Sequence, residues 1–339
     1  MNQAEAKAFV YWCYETIFGR RPGERETRSS VDSLMQGMPK LDLLVQFIES
    51  DEAKVLRTAN KFVPPGHYHS PLPSAEDIEA HLRRGPSGLE GVRIDEAAQL
   101  ATLETLSTYY ELLPFGAKKT PDLRYYYENS MYSYADAIFL ATMLLLNRPS
   151  RVIEVGSGFS SCVLLDVNEL FLENAMDLSF IEPFPDRLMS LLDGSLTPGV
   201  RLLTTPLQDI ALSEFRELRS GDVLFIDSTH VAKVGSDVNY LVFDILPTLS
   251  PGVLVHFHDV FYPFEYPTDW LLAGRAWNEQ YVLHAFLQFS DAYEIVLFGH
   301  RMVSAYPDWF RRNMPLCLNN PGGSLWLRRV STPEDAGAS

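Results

Sequence analysis

The sequence predicts an α/β protein, with a doubly wound, mainly parallel sheet in its C-terminal part and a small helical module before it. Three observations carry this reading. From Arg151 onward, short apolar and β-branched runs alternate with helix-length segments, the pattern of βαβ units whose strands are covered on both faces. Between Ala4 and Arg57 the apolar residues recur at helical spacing instead, as Phe9, Cys13 and Ile17 do. The first apolar run of the C-terminal part ends in "EVGSGFSS", Glu154 to Ser161, where two glycines allow a sharp strand-to-helix turn.

Taken in order, residues 1–58 form the helical module, with "GRRPGERE" supplying a turn between helices. Residues 59–130 form a Pro-rich bridge and a helical segment. The bridge, "KFVPPGHYHSPLPSAED", excludes regular structure and carries His67, Tyr68 and His69; whether these histidines reach an active site stays open. Ser74 and Asp77 then read as a helix start, and "EAAQLATLETLSTYYELL" continues as helix. The aromatic segment "LRYYYENSMYSYADA" leads into residues 131–330, the α/β domain. Its strands are "RVIEVG", "LSFIEP", "VRLLTT", "DVLFID", "GVLVHFHD", "YEIVLFG" and "SLWLRRV". Residues 331–339, "STPEDAGAS", are expected to be a disordered tail.

The bulk properties narrow the class of protein. The chain has 339 residues, 46% of them hydrophobic, and a formal charge of −16. That charge argues against a nucleic acid as partner, because binding phosphates needs clustered Lys and Arg. Cys13, Cys162 and Cys317 lie far apart with no CxxC pair, so neither a disulfide framework nor a thiolate zinc site is expected. The N-terminus lacks the pattern of a secretory leader, and "AIFLATMLLL" is too short to span a bilayer. The expectation is a cytoplasmic enzyme acting on a small molecule, without a membrane partner; self-association is left open.

Ligands of open parallel sheets sit at the carboxyl ends of the strands. There, Gly156 and Gly158 would let the chain turn, and a helix starting near Ser160 would aim free N–H groups at a polar ligand. Ser161 replaces the third glycine of the dinucleotide fingerprint, which weakens a nicotinamide-binding reading. Glu182 ends the second strand, where an acid can accept both hydroxyls of a ribose. Together, "EVGSG" and "FIEP" resemble the class I S-adenosylmethionine-dependent methyltransferases.

That resemblance implies a Rossmann-like seven-stranded sheet in the order 3-2-1-4-5-7-6, with "SLWLRRV" as an antiparallel insertion. It also implies S-adenosylmethionine as cofactor. Gly156 and Gly158 would pack against its methionine part and Glu182 would hold its ribose. Asp209, with Gln208 beside it, would contact the adenine. Glu154, Ser160, Ser161, Asp227 and, from the aromatic segment, Ser133 complete the expected cofactor contacts, with Asn129 and Tyr134 near Ser133.

Two strand ends carry the candidate chemistry: Asp227 and His230 after the fourth strand, and His256, His258 and Asp259 at the fifth. In one reading Asp227, His230, His258 and Asp259 bind a divalent metal that orients a substrate hydroxyl and lowers its pKa. Asp227 and Asp259 match the metal-binding aspartates of the catechol O-methyltransferase-like branch, but Val260 stands where that branch has Asn. In the other reading no metal is involved, and His230 or His258 is the general base, oriented by Asp227 or Asp259. His256 reads as a structural core residue.

"FYPFEYPTDW" could form a stacking wall for a sugar or another ring, or simply pack a long loop. Together with "GHYHSPLPS" and "IDSTHVAKVGSDVNY", the motifs resemble a bacterial methyltransferase-like group whose substrates are mostly unassigned. The expected activity is methyl transfer to a hydroxyl of a small molecule, a sugar or a natural-product ring. An iron-dependent hydroxylase and an inactive cofactor-binding scaffold are the alternatives.

Overall fold

A computed structural model describes residues 2–53, 63 and 65–331 of the chain; the expected tail lies, but for its first residue, outside the described residues. Packing divides the chain into two units, residues 1–80 and 81–339. The first contains helices α1 (Gln3–Phe18), α2 (Glu24–Met35) and α3 (Lys40–Glu49). Their apolar stripes close on one another through Val10, Tyr14, Phe18, Val31, Leu34 and Leu43. Gly19, with φ of 65°, ends α1 in the left-handed conformation. Within this unit His67 stacks on Tyr68, and the His69 ring is tilted against Tyr68.

The second unit is a seven-stranded sheet in the order β3-β2-β1-β4-β5-β7-β6. The strands are β1 (Arg151–Val155), β2 (Asp177–Ile181), β3 (Arg201–Leu203), β4 (Val223–Ile226), β5 (Leu254–Phe257), β6 (Tyr293–Phe298) and β7 (Leu325–Arg329). All pairs from β3 to β5 are parallel, and β7 runs antiparallel to both β5 and β6. Each strand therefore forms where an apolar run predicts it, and the order is the expected one.

Alternation along the strands divides the core. Val152, Phe225, Leu254 and Trp326 face one layer; Ile153, Ile226, Val255 and Leu327 face the other. Helices α4 (Glu96–Tyr110), α5 (Ala135–Asn147) and α6 (Phe159–Phe171) cover the first layer. Leu103 and Leu106 of α4 share that core with Ile138 and Leu144 of α5 and Val163 of α6. Packing thus does not break at residue 130, where the sequence suggested a boundary, because α4 supplies part of the sheet's cover. The three cysteines are buried and free. No helix among the described residues is long and apolar enough to cross a membrane.

Candidate active site

The ladder continues past the strand ends and sets four residues side by side at the carboxyl edge. Gly156 N–H donates to the Ile181 carbonyl at 2.9 Å, Glu182 to Leu203 at 3.0 Å, Asp227 to Val155 at 2.8 Å and His258 to Ile226 at 2.9 Å. Gly156 has a φ of 79°, and a Cβ there would lie 1.8 Å from the Asp227 carbonyl oxygen. Only glycine fits. Gly158 differs: its φ of −178° is extended backbone, and its nearest neighbour would be Arg187 Cδ at 3.6 Å. The first glycine, not the second, is what the turn requires.

The turn is fastened from within. Gly158 N–H donates to Ser161 Oγ at 2.9 Å, Ser160 Oγ–H donates to Glu154 Oε1 at 2.7 Å, and Ser161 Oγ–H donates to the other Glu154 oxygen. Glu154 is fully buried. That burial pushes its carboxyl up to about 8, against the hydrogen bonds from Ser161 and Ser160 that favour the charge. Glu154, Ser160 and Ser161, expected as cofactor contacts, thus satisfy one another beneath the turn.

Glu182 stays at the surface of the edge and accepts from Ser157 N–H at 3.0 Å and Phe184 N–H at 2.8 Å. It lines a cavity of about 430 Å³ together with Gly156, Phe184, Leu207, Gln208 and Asp227. Gln208 Nε2 donates to the Gly235 carbonyl at 2.7 Å across that cavity. Asp209 and Ser133 are not among the residues lining it. In the short helical turn Leu207–Asp209 it is Gln208 that lines the cavity. Ser133 instead accepts from Asn320 Nδ2 at 2.7 Å. Asn129 is occupied by backbone groups of Tyr126 and Tyr132.

Beside the cavity, at the ends of β4 and β5, lies the charged centre. His230 Nε2 stands 3.2 Å from Asp227 Oδ1 and 3.7 Å from Asp259 Oδ2, while Nδ1 is 2.8 Å from Glu279 Oε2. The ring is buried, which works against its charge, but the hydrogen bonds to Asp227 and Glu279 outweigh this and lift the imidazole to about 10. The two carboxylates thus favour the charged ring, which weighs against the expected role of His230 as general base. His230 and Asp259 both carry positive φ, 59° and 56°, a strained backbone at non-glycine residues.

Ligand atoms of Asp227, His230 and Asp259 all lie within 4.8 Å of one another. Two carboxylates and one imidazole fit a divalent ion, which would replace the proton on Nε2. His258, expected in that set, stands behind it instead. Its Nε2 is 3.6 Å from Asp259 Oδ1 and its Nδ1 is 4.0 Å from Asp136 Oδ1. Burial opposes its charge, but Asp259, Asp227 and Asp136 together raise its pKa. Asp136 is itself pushed up to about 6 by burial. His256 lies deeper, fully buried, with its ring stacked on Phe225 at 4.3 Å.

A methyltransferase domain family matches residues 153–260, the stretch from the glycine turn to the Asp259 end of β5. An uncharacterized protein of Archaeoglobus fulgidus is 31% identical over 170 residues, spanning 48% of this chain and 76% of the relative. The chain belongs to the class I S-adenosylmethionine-dependent methyltransferase family. Solved structures similar to this methyltransferase include the O-methyltransferase TomG from Streptomyces achromogenes, involved in tomaymycin synthesis, in complex with SAM. It is 16% identical, with 71% of this chain and 92% of that chain covered and a TM-score of 0.37. The SAH-bound methyltransferase PaMTH1 of Podospora anserina is 13% identical, with 79% and 99% covered and a TM-score of 0.39. These values add nothing to the topology already described.

Glu279 is one residue of the charged centre that sequence reasoning misses. It opens the helix Glu279–Leu287, where an acid is favoured by the helix dipole alone, so its position gives no functional signal. Asp136 is hidden for a similar reason: it starts α5, far along the chain from the strand ends it faces.

Proposed function

We propose that the protein transfers the methyl group of S-adenosylmethionine to a hydroxyl of a small molecule. The observation that carries this is the position of the Asp227–His230–Asp259 centre beside the cavity whose wall includes Asp227. In that cavity Glu182 accepts the ribose hydroxyls, and Gly156 leaves room for the methionine part. Pro206, Leu207 and Gln208 take the adenine end.

Transfer is an in-line displacement from a sulfonium, so holding the acceptor oxygen in line accounts for much of the rate. Asp227 has its pKa lowered: burial alone would raise it, but His258 and His230 outweigh that. It is therefore a carboxylate, able to accept a hydrogen bond from the acceptor hydroxyl and orient it. Asp227, His230 and Asp259 are the residues that would hold a divalent ion. Bound there, such an ion lowers the pKa of a coordinated hydroxyl. One imidazole with two carboxylates is the reverse of the two-histidine, one-carboxylate set of oxygen-activating iron, which argues against the hydroxylase alternative. The aromatic stretch from Phe261 to Trp277, whose Trp277 ring lies 4.4 Å from that of His230, supports a ring-bearing acceptor such as a sugar or natural-product ring.

The test is formation of S-adenosylhomocysteine from S-adenosylmethionine with a panel of hydroxylated small molecules, with Mg²⁺, Mn²⁺ or a chelator. Turnover that depends on the metal and is lost in Asp259→Asn is expected. Turnover indifferent to both would remove the centre from the reaction.

A further inference from the structure

A carboxylate buried without a counter-charge is costly, and Glu279 is 1% exposed. One of its carboxylate oxygens lies 2.8 Å from His230 Nδ1, and Ser228 Oγ donates at 3.3 Å to the other. The same helix start also holds the backbone of His230. Asn278 N–H and Glu279 N–H both donate to the His230 carbonyl, at 3.0 and 3.1 Å. Asn278 Oδ1 accepts from Ala232 N–H at 2.6 Å. One helical turn therefore grips a residue in left-handed backbone by its carbonyl and by its ring at once.

We propose that Glu279 is the positioning residue of this centre: it holds the proton on His230 Nδ1 and thereby turns Nε2 toward Asp227 and Asp259. The distances rank as this requires, since the Glu279 contact at 2.8 Å is shorter than those of Nε2 to Asp227 and Asp259, 3.2 and 3.7 Å. A ring pinned at Nδ1 presents one nitrogen in one direction. A carboxylate on the far nitrogen also makes an imidazole a better donor to a cation. The inference rests on the reading above only in assigning His230 to the reacting centre; what Glu279 does to the ring is independent of methyl transfer.

The test uses the full, metal-stripped chain labelled with ¹⁵N-histidine. In the wild type, a His230 Nδ1–H resonance far downfield is expected, retained when Zn²⁺ is added while Nε2 moves to a metal-bound shift. In Glu279→Gln that resonance moves upfield and calorimetric Zn²⁺ affinity falls about 10- to 100-fold, while affinity for S-adenosylmethionine is unchanged. A His230 spectrum or a Zn²⁺ affinity untouched by the substitution overturns the proposal. Should Glu279→Gln not fold, Glu279→Asp, with its carboxylate drawn back, is read the same way. A wild-type protein with the downfield resonance but no turnover on any acceptor would leave this inference standing and sink the methyl-transfer reading. Absence of the resonance in the wild type would sink the inference whatever the turnover.

Discussion

The backbone of Gly156 passes so close to Asp227 that a Cβ on the glycine would lie 1.8 Å from the Asp227 carbonyl oxygen. The obstacle is backbone on backbone, so no side-chain movement relieves it. Gly156→Ala is expected to destabilise the protein by at least ~2 kcal/mol, combining left-handed strain with the clash, and to abolish cofactor binding. Gly158→Ala, whose Cβ would meet only the flexible Arg187 side chain at an ordinary 3.6 Å, should stay within about 0.5 kcal/mol of the parent. Urea midpoints of the two variants check this. Equal losses would mean that the turn tolerates or rejects both alike.

Glu182 is bonded by two backbone N–H groups, of Ser157 and Phe184, both outside the strands. Its removal should leave the core intact and act on the ligand. Glu182→Ala is expected to weaken S-adenosylmethionine binding by ~1.5–3 kcal/mol, the range for hydrogen bonds to a charged group, with the unfolding midpoint nearly unchanged. Calorimetric titration alongside urea unfolding separates the two effects. A variant that binds as tightly as the parent would remove Glu182 from the cofactor site.

Glu154 gives stability a pH dependence. Burial raises its pKa to about 8 from a reference of 4.5, so the folded state binds the proton more tightly than the unfolded chain does. The resulting stabilisation is fully present below pH 4.5 and is lost as pH rises through about 8. This group alone contributes a slope of at most about 1.4 kcal/mol per pH unit. Glu154→Gln keeps the acceptor oxygen for a serine hydroxyl and should flatten the fall between pH 5 and 8. Unfolding midpoints that drop equally in both proteins would assign the slope to other groups.

His256 is fully buried with neither ring nitrogen hydrogen-bonded, and burial holds its pKa well below the usual value. It packs as a flat ring against Phe225 and Trp326. His256→Phe should stabilise the protein by about 1 kcal/mol, removing an unsatisfied polar group, without altering turnover. Lost turnover in a well-folded variant would instead give His256 a chemical part.

The sheet was legible because each strand is a bounded apolar run, and a parallel sheet covered on both faces leaves that mark at every strand. The glycine turn was legible in outline, yet the requirement falls on Gly156 alone, since only it faces the Asp227 backbone. A motif names residues without saying which way they point: Glu154, Ser160 and Ser161 turn inward and bond to one another. Of the two histidines read beside Asp227 and Asp259, it is His230 whose ring nitrogen groups with both carboxylates, while His258 stands behind them. Three residues' separation from Asp227 places His230 Nε2 within reach of both aspartates through a left-handed backbone, which no spacing rule foretells. Glu279 required the fold itself.

The aromatic loop between Asp259 and Asn278 is anchored at both ends to the centre it borders. Val260 N–H is held by the Gly323 carbonyl at 2.8 Å, Phe261 N–H by Gln280 Oε1 at 3.0 Å, and Asn278 N–H by His230 at 3.0 Å. Between these anchors Phe264 and Tyr266 are themselves buried, and Phe264 packs on Phe298 of β6. The loop is thus a wall keyed into the sheet, and a change of its buried rings would be felt at His230 through Trp277.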